Sequence, residues 1–230
     1  MTPTSAQTAE QTALSRILDQ RNTCRQFRPD PVPREKIETL LRMAQRTPSW
    51  CNTQPWHAVV TESAATDRFR KELLDHIQTA APAPDLTFPG TYDGVYRDRR
   101  RECGKQLYAS VGIEKGDNAG SMRQMMRNFE LFDAPHVAII TTEAELGIYG
   151  AVDCGLYINT FLLAAQSMGL GAAPQAALAS YSPFLHSHFG IPEHRQVVVG
   201  ISFGYPDAEH PVNSFRTHRA DLDQAVTFID

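Results

Sequence analysis

The chain has 230 residues, of which 42% are hydrophobic and 21% are charged, the composition of an ordinary soluble globular protein. Its formal net charge of -4 argues against a general binder of nucleic acid or of anionic membranes. The four cysteines (Cys24, Cys51, Cys103 and Cys154) show no C-x-x-C spacing. A disulfide framework and a zinc site are therefore disfavoured, and a reducing cytoplasm is the expected location.

Hydrophobic spacing and turn residues predict a mixture of helices and strands. Helices are expected at about 10–20, at 33–47, around Phe69, Leu73 and Ile77, and at about 96–111, 118–132 and 148–168, with a short one opened by Ser182-Pro183. Strands are expected at 57–61, 136–142, 196–205 and 226–228. Residues 81–94 are rich in Pro, Gly and Asp and indicate an irregular excursion. The absence of repeats and low-complexity linkers predicts one α+β domain over residues 1–230.

Neither a signal peptide nor a membrane span is expected. Residues 1–13 have no basic stretch followed by an apolar one. No apolar run approaches the roughly 20 residues that a spanning helix needs. The most apolar predicted helix, 148–168, has two interpretations: a central core helix, or a helix that buries part of its surface against a partner subunit.

Two segments have residue types suited to a mononucleotide. In the segment 21–25 (RNTCR), two arginines flank the hydroxyl of Thr23, a combination suited to a phosphate. The loop 47–56 (TPSWCNTQPW) lies between a predicted helix and strand and presents Ser, Asn and Gln side chains. Such groups suit the edge of a flat heterocycle with alternating donors and acceptors.

These two segments together resemble the FMN-binding nitroreductase family. Its members have Arg-x-Ser-x-Arg or Lys near the N-terminus and Pro-Ser-x-x-Asn-x-Gln-Pro-Trp after the next helix. The segment 169–177 (GLGAAPQAA) and the turn 204–207 (GYPD) are most similar to nitrobenzoate-reductase-like members. The resemblance covers most of the chain and is weakest between residues 81 and 118.

The resemblance implies a fold and an assembly. The fold is nitroreductase-like, with a central, mostly antiparallel sheet flanked by helices. The assembly is an intertwined homodimer with the flavin at the interface. Residues 81–132 correspond to the excursion that caps the substrate pocket in this family.

The resemblance also implies which residues bind FMN. Arg219, and secondarily Arg216, would close over the phosphate, and the backbone of Gln175 and Ala176 would lie near the reactive N5 edge. No catalytic side chain and no metal ligand are expected. The full predicted set is Arg21, Asn22, Thr23, Arg25, Pro48, Ser49, Trp50, Asn52, Gln54, Pro174, Gln175, Ala176, Ala177, Arg216 and Arg219.

Several residues depart from the family pattern. Thr23 replaces Ser and keeps a hydroxyl, whereas Ala172-Ala173 and Ala177 replace Thr-Cys and Ser and lose polar contacts. Trp50 stands where small residues are commoner, so it either narrows the pocket or packs at the interface. His186, His188 and His194 do not form a convincing metal motif, because residues two apart on a helix point away from each other.

The implied function is reduction of nitroaromatic or similar electron-poor acceptors with NADH or NADPH. Because no second nucleotide motif is present, donor and acceptor are expected to use one site in turn, in a ping-pong scheme. Two alternatives stay open: a reductive dehalogenase or another FMN-family enzyme, including one that consumes its own reduced flavin, and a non-enzymatic FMN-binding protein.

Overall fold

The computed structural model describes residues 7–229, so the first six residues of the segment examined for a signal peptide lie outside the described part. The helices are α1 Ala9–Gln20, α2 Arg34–Ala44, α3 Ala64–His76, α4 Gly94–Ser110, α5 Asn118–Met126, α6 Gly147–Ser167, α7 Ala176–Ala179 and α8 Ser182–Phe189. The strands are β1 His57–Glu62, β2 His136–Glu143, β3 Gly171–Gln175 and β4 Arg195–Gly204.

The four strands form one antiparallel sheet in the order β1-β2-β4-β3. In its centre, Ala138 of β2 lies opposite Ile201 of β4 and next to Val60 of β1. The predicted α+β class with a mostly antiparallel sheet flanked by helices is confirmed. The intertwined dimer and the single-domain organisation stay predictions.

Helices cover both faces of the sheet. Successive residues of β2 point to opposite faces, so Ile140 packs with Leu40 of α2 and Phe161 of α6. The next residue toward the N-terminus, Ile139, packs on the other face with Phe69 of α3. Because helices cover both faces of the sheet, neither face is open to a ligand.

The sequence predicts no strand over residues 169–177, which is wrong. They contain the edge strand β3, in which Pro174 is paired opposite Ile201. The five residues of β3 include glycine and proline, which are uncommon in strands and therefore do not predict one. Proline is nevertheless tolerated on an edge strand.

Two further predicted elements differ from the structure. The predicted strand 226–228 is wrong, since a single turn at Leu222–Gln224 is followed by residues without regular structure. The helix predicted over 118–132 ends at Met126, and a tight turn follows at Leu131–Asp133. All three residues of that turn have positive φ angles, which an α-helix cannot accommodate.

Helix α6 combines a buried face with an exposed apolar face. Phe161 and Ala165 are buried in the core, whereas Ile148 and Tyr149 are 77% and 57% exposed. The segment Ala144–Ser167 is also long and apolar enough to cross a membrane, which corrects the expectation that no run has this length. Core helices of soluble proteins pass the same test, so the finding is weak support for a span. The cytoplasmic location stays a prediction.

Candidate active site

The residues predicted to bind a phosphate surround one cavity of about 330 Å³, here called the arginine cavity. It lies between the segment that follows α1 and the segment 215–219 near the C-terminus. The predicted residues in its wall are Arg21, Asn22, Thr23, Arg25, Arg216 and Arg219, and the other residues in the wall are Leu18, Asp19, Cys103, Phe215 and Thr217. The structure therefore brings together two basic clusters that are almost 200 positions apart in the chain.

The arginine cavity has a large excess of positive charge. Within residues 7–229, none of its four guanidinium groups lies within 4.0 Å of a carboxylate, although Asp19 also lines the cavity. Burial, followed by the charges of Arg219 and Arg216, lowers the pKa of Arg21. Burial also lowers the pKa of Arg25. Guanidinium groups placed together without a counter-charge favour an anionic ligand.

Backbone pairing with β3 holds the segment 21–25 in place. Thr23 forms a parallel bridge with Ala172, and the N–H of Cys24 donates to the Ala172 carbonyl at 3.1 Å. Glycine is needed at position 171, because a Cβ there would lie 2.9 Å from the side chain of Cys24. Burial raises the pKa of the Cys24 thiol to about 12, so this cysteine is a packing residue rather than a nucleophile.

Asn213, which the sequence interpretation missed, joins the two basic clusters. Its side chain accepts from the N–H of Arg25 at 2.8 Å and donates to the Gln26 carbonyl at 2.9 Å. Its own carbonyl accepts from the side chains of Asn22 at 3.0 Å and Arg216 at 2.9 Å. The only signal in the sequence was an asparagine beside the second basic cluster, and its burial could not be foreseen.

The loop predicted to face a heterocycle is a strained turn beside α6. Cys51, Asn52 and Gln54 have φ angles of 48°, 57° and 49°, a conformation that costs free energy for residues other than glycine. The turn is held by a hydrogen bond from the Gln54 N–H to Ser49 Oγ at 2.9 Å. The N–H of Trp50 donates to the carboxylate of Asp153 on α6 at 3.1 Å.

This loop does not line the arginine cavity of its own chain. None of Pro48, Ser49, Trp50, Asn52 and Gln54 is in the cavity wall. The Trp50 ring is 60% exposed and packs on Tyr149 of α6, with ring centroids 4.8 Å apart. The loop therefore continues the exposed apolar face of α6.

The segment 174–177 is also outside the arginine cavity, at the junction of β3 and α7. The buried Gln175 side chain donates to the Asn128 carbonyl at 2.7 Å and accepts from Ser202 Oγ at 2.5 Å. The exposed Ala176 is the first residue of α7, where backbone N–H groups have no intrahelical acceptor. A backbone donor is therefore available beside a fixed side chain.

The histidines and remaining cysteines show no other catalytic arrangement. His186 lies 2.9 Å from Asp85, and His188 lies 2.8 Å from Glu72, so each ring has its own carboxylate partner. In the described part of the chain, no three His, Cys, Asp or Glu residues are grouped as metal ligands would be. All four cysteines are free thiols.

Comparisons with known proteins extend over nearly the whole chain. A family model described as "Nitroreductase family" matches residues 18–205. The chain is 34% identical over 221 residues to nitroreductase NfnB of Mycolicibacterium smegmatis, which covers 94% of this chain and 92% of the relative. It is 33% identical over 226 residues to a 4-nitrobenzoate reductase of a Nocardioides species, with 94% and 90% covered. The crystal structure of FMN-dependent NfnB from Mycobacterium smegmatis in complex with NADPH matches with a TM-score of 0.90 and 33% identity, over 95% of this chain and 99% of that chain.

Proposed function

Because this chain belongs to the nitroreductase family of oxidoreductases, we propose that it reduces nitroaromatic or similar electron-poor acceptors with NADH or NADPH, using FMN. The resemblance and the nitroreductase-like fold predicted from the sequence are both confirmed. The cofactor and the reaction are supported by relatives described as an FMN-dependent nitroreductase in complex with NADPH and as a 4-nitrobenzoate reductase.

The observation that carries the proposal is the arginine cavity, because a phosphate dianion fits it. Arg21, Arg25, Arg216 and Arg219 supply guanidinium donors that no carboxylate in the described residues neutralises. Thr23 adds a hydroxyl in the cavity wall. A phosphate monoester such as that of FMN would accept several charge-assisted hydrogen bonds here. We assign Arg21, Arg216 and Arg219 to this phosphate, since their charges act on one another.

The ring of FMN requires the other predicted residues, which the single chain does not bring to the arginine cavity. We propose that a second copy of the chain completes the site with its loop at Ser49, Asn52 and Gln54. The exposed apolar side chains of Trp50 and Tyr149 adjoin this loop and would be covered in such a dimer. This arrangement accounts for an apolar surface that a monomer would leave in water.

When bound, FMN supplies the hydride and electron transfer between donor and acceptor, and the chain supplies position and charge. The arginines fix the anionic end of the cofactor, and Arg25 also adds positive charge that favours a reduced, anionic ring. The small side chain of the exposed Ala176 leaves the backbone accessible at the β3–α7 junction. No side-chain acid or nucleophile is assigned a role.

Anaerobic reduction tests this function most directly. The purified protein should be yellow, with one FMN per subunit, and the flavin absorbance should bleach on addition of NADPH or NADH. Addition of 4-nitrobenzoate should then restore the absorbance. A flavin that stays oxidised with both donors contradicts the proposal and favours a non-enzymatic FMN-binding protein.

Steady-state kinetics test the shared site. Double-reciprocal plots should be parallel, because donor and acceptor bind in turn, and nicotinamide analogues should compete with the nitro substrate. Kinetics that require a ternary complex would contradict the single-site scheme. Electron transfer to haloaromatics but not to nitroaromatics would retain the cofactor site and replace the substrate assignment by the reductive dehalogenase.

A further inference from the structure

A second cavity, of about 660 Å³, adjoins the arginine cavity. The two share Cys103, Thr217 and Arg219 in their walls, so a ligand in one lies next to a ligand in the other. Helix α4 forms the opposite wall of this second cavity and contributes Arg99 to it. The proposed function uses only the arginine cavity and leaves this space unexplained.

The second cavity favours an anion. The guanidinium of Arg99 forms no ion pair within residues 7–229, and its one hydrogen bond, to Gln224 Oε1, is long at 3.4 Å. In the part of the chain that the structure describes, Arg219 donates hydrogen bonds only to Thr217 and to the His218 carbonyl. Among the described residues, Glu102 is the only carboxylate in the wall. The two adjoining cavities together hold five guanidinium groups against Asp19 and Glu102, so positive charge remains for a second ligand after a phosphate dianion binds in the arginine cavity.

The wall also offers acceptors to a ligand that has hydroxyl or amino groups. Gln106 Oε1 is buried and has no hydrogen-bond partner within residues 7–229. An orphaned buried acceptor is unfavourable, so a ligand donor at this position would stabilise the complex. Gln106 Nε2 has only a long contact, 3.5 Å, to Glu102 Oε1, so that carboxylate can also accept from a ligand. A phosphorylated nucleoside requires protein groups that donate to its phosphate, beside protein groups that accept from its hydroxyl and amino groups.

We propose that the second cavity binds the adenosine 2′-phosphate end of NADPH, with Arg99 as the residue that selects NADPH over NADH. This inference rests on the proposed function, in which a nicotinamide nucleotide is the electron donor. The 2′-phosphate is the group that NADPH has and NADH lacks, and Arg99 can bind it beside Arg219, which borders both cavities. Gln106 and Glu102 can accept from the ribose hydroxyl and the adenine amino group.

Direct binding of nucleotide fragments tests the cavity without turnover. Calorimetric titration of the flavin-loaded protein should show adenosine 2′,5′-bisphosphate binding at least about tenfold more tightly than 5′-AMP. Arg99→Gln should abolish most of this ratio. Arg101→Gln removes the same charge from an exposed position on the same helix, outside the cavity, and should leave the ratio unchanged. Equal binding of the two nucleotides, or an unchanged ratio in Arg99→Gln, overturns the proposal.

Kinetics with the two donors supply the second arm. Arg99→Gln should raise the KM for NADPH about tenfold or more and leave the KM for NADH unchanged. An equal rise for both donors would mean that the cavity holds the diphosphate common to NADH and NADPH, which also overturns the proposal. If neither donor reduces the flavin, the proposed function fails instead, and the titrations still report on the cavity.

Discussion

Arg21 and Arg219 approach the same cavity from opposite ends of the chain, and within residues 7–229 neither forms an ion pair with a carboxylate. Each guanidinium is expected to form charge-assisted bonds to the FMN phosphate worth roughly 1.5–3 kcal/mol. The double variant Arg21→Ala with Arg219→Ala should therefore weaken FMN binding by at least about two orders of magnitude. Fluorescence titration of the flavin-free protein with FMN measures the dissociation constant.

A matched control removes two positive charges elsewhere. Arg68 and Lys115 are exposed, and neither lines the arginine cavity. Changing both to alanine should leave the dissociation constant within about twofold, because water and salt screen exposed charges that do not contact the ligand. If the Arg21 and Arg219 variant binds FMN as tightly as this control does, the phosphate assignment is wrong.

His136 is a buried residue whose protonation should affect stability. Its Nε2 accepts from the N–H of Val32 at 2.9 Å, and its Nδ1 donates to the Thr61 carbonyl at 3.2 Å, so the neutral ring suits the fold. Burial lowers the pKa of His136 below its ordinary 6.5. The unfolded chain then binds more protons than the folded chain. The contribution of His136 to the unfolding free energy is therefore present above about pH 6.5 and is lost as the pH falls through the folded pKa. The difference in unfolding free energy between the parent and His136→Gln should decrease from pH 7.5 to pH 5.5.

His186 provides the opposite case and therefore an internal control. Although burial opposes its charge, hydrogen bonds to Ile191 and Asp85 raise the pKa of His186. Its contribution is complete below about pH 6.5 and is lost as the pH rises through the folded pKa. The difference in unfolding free energy between the parent and His186→Asn should increase from pH 7.5 to pH 5.5. Urea unfolding at three pH values measures both differences, and parallel trends would contradict the two assignments.

At the level of elements, the junction of β3 and α7 allows one N–H to be removed without disturbing the fold. Proline is tolerated at the first position of a helix, and Ala176 occupies that position in α7. Gln175 is extended, with φ -128° and ψ 91°, as a residue before proline prefers. If the Ala176 N–H faces the reactive edge of FMN, Ala176→Pro should lower kcat about 100-fold while the unfolding midpoint changes little.

Two variants separate this backbone effect from packing. Ala176→Ser keeps the N–H and should retain activity within a few-fold. Gln175→Ala should lose about 1–3 kcal/mol of unfolding free energy, because Ser202 Oγ and the Asn128 carbonyl lose their partner. Full activity in a folded Ala176→Pro protein would exclude the proposed backbone donor.

The elements that the sequence predicted well have a simple hydrophobic pattern, either a continuous apolar run or apolar residues at helical spacing. Strand β2 is an apolar run buried on both faces, and α2 repeats its apolar residues at helical spacing. Strand β3 was missed because its pairing with β4 and the bridge to Thr23 are non-local contacts. The strand predicted at 226–228 shows the converse, since β-branched and aromatic residues alone do not provide a pairing partner.

Some residues of the candidate site could likewise be predicted from the sequence, and others could not. The arginines of the phosphate end could be predicted because two of them flank the hydroxyl of Thr23 in a segment that resembles the family's first motif. Asn213 could not be predicted, because its role depends on hydrogen bonds that only the folded chain forms. Three of them join it to residues 22–26, almost 200 positions away, and a fourth joins it to Arg216. The grouping of Arg99 with Arg219 likewise depends on where α4 lies relative to the C-terminal segment.

At the level of the whole molecule, the single chain separates the phosphate residues from the ring residues. The arginine cavity contains six of the predicted site residues, and the loop at Trp50 adjoins the exposed face of α6 instead. On that face, Ile148, Val152 and Leu156 are 77%, 53% and 46% exposed. An apolar surface beside an incomplete site is best accounted for by a partner copy that covers the first and completes the second.

We therefore expect a homodimer whose dissociation releases FMN. Ile148→Glu places a charge on the expected interface and should shift the protein to monomer at low micromolar concentration, because burying an unpaired carboxylate costs several kcal/mol. Met122→Glu, at a 57% exposed position on α5, adds the same charge away from α6 and should remain a yellow dimer. Sedimentation velocity recorded at the protein and flavin absorbance bands measures both properties at once. A parent protein that sediments as a monomer with FMN bound would contradict the shared site, and so would an Ile148→Glu monomer that retains FMN.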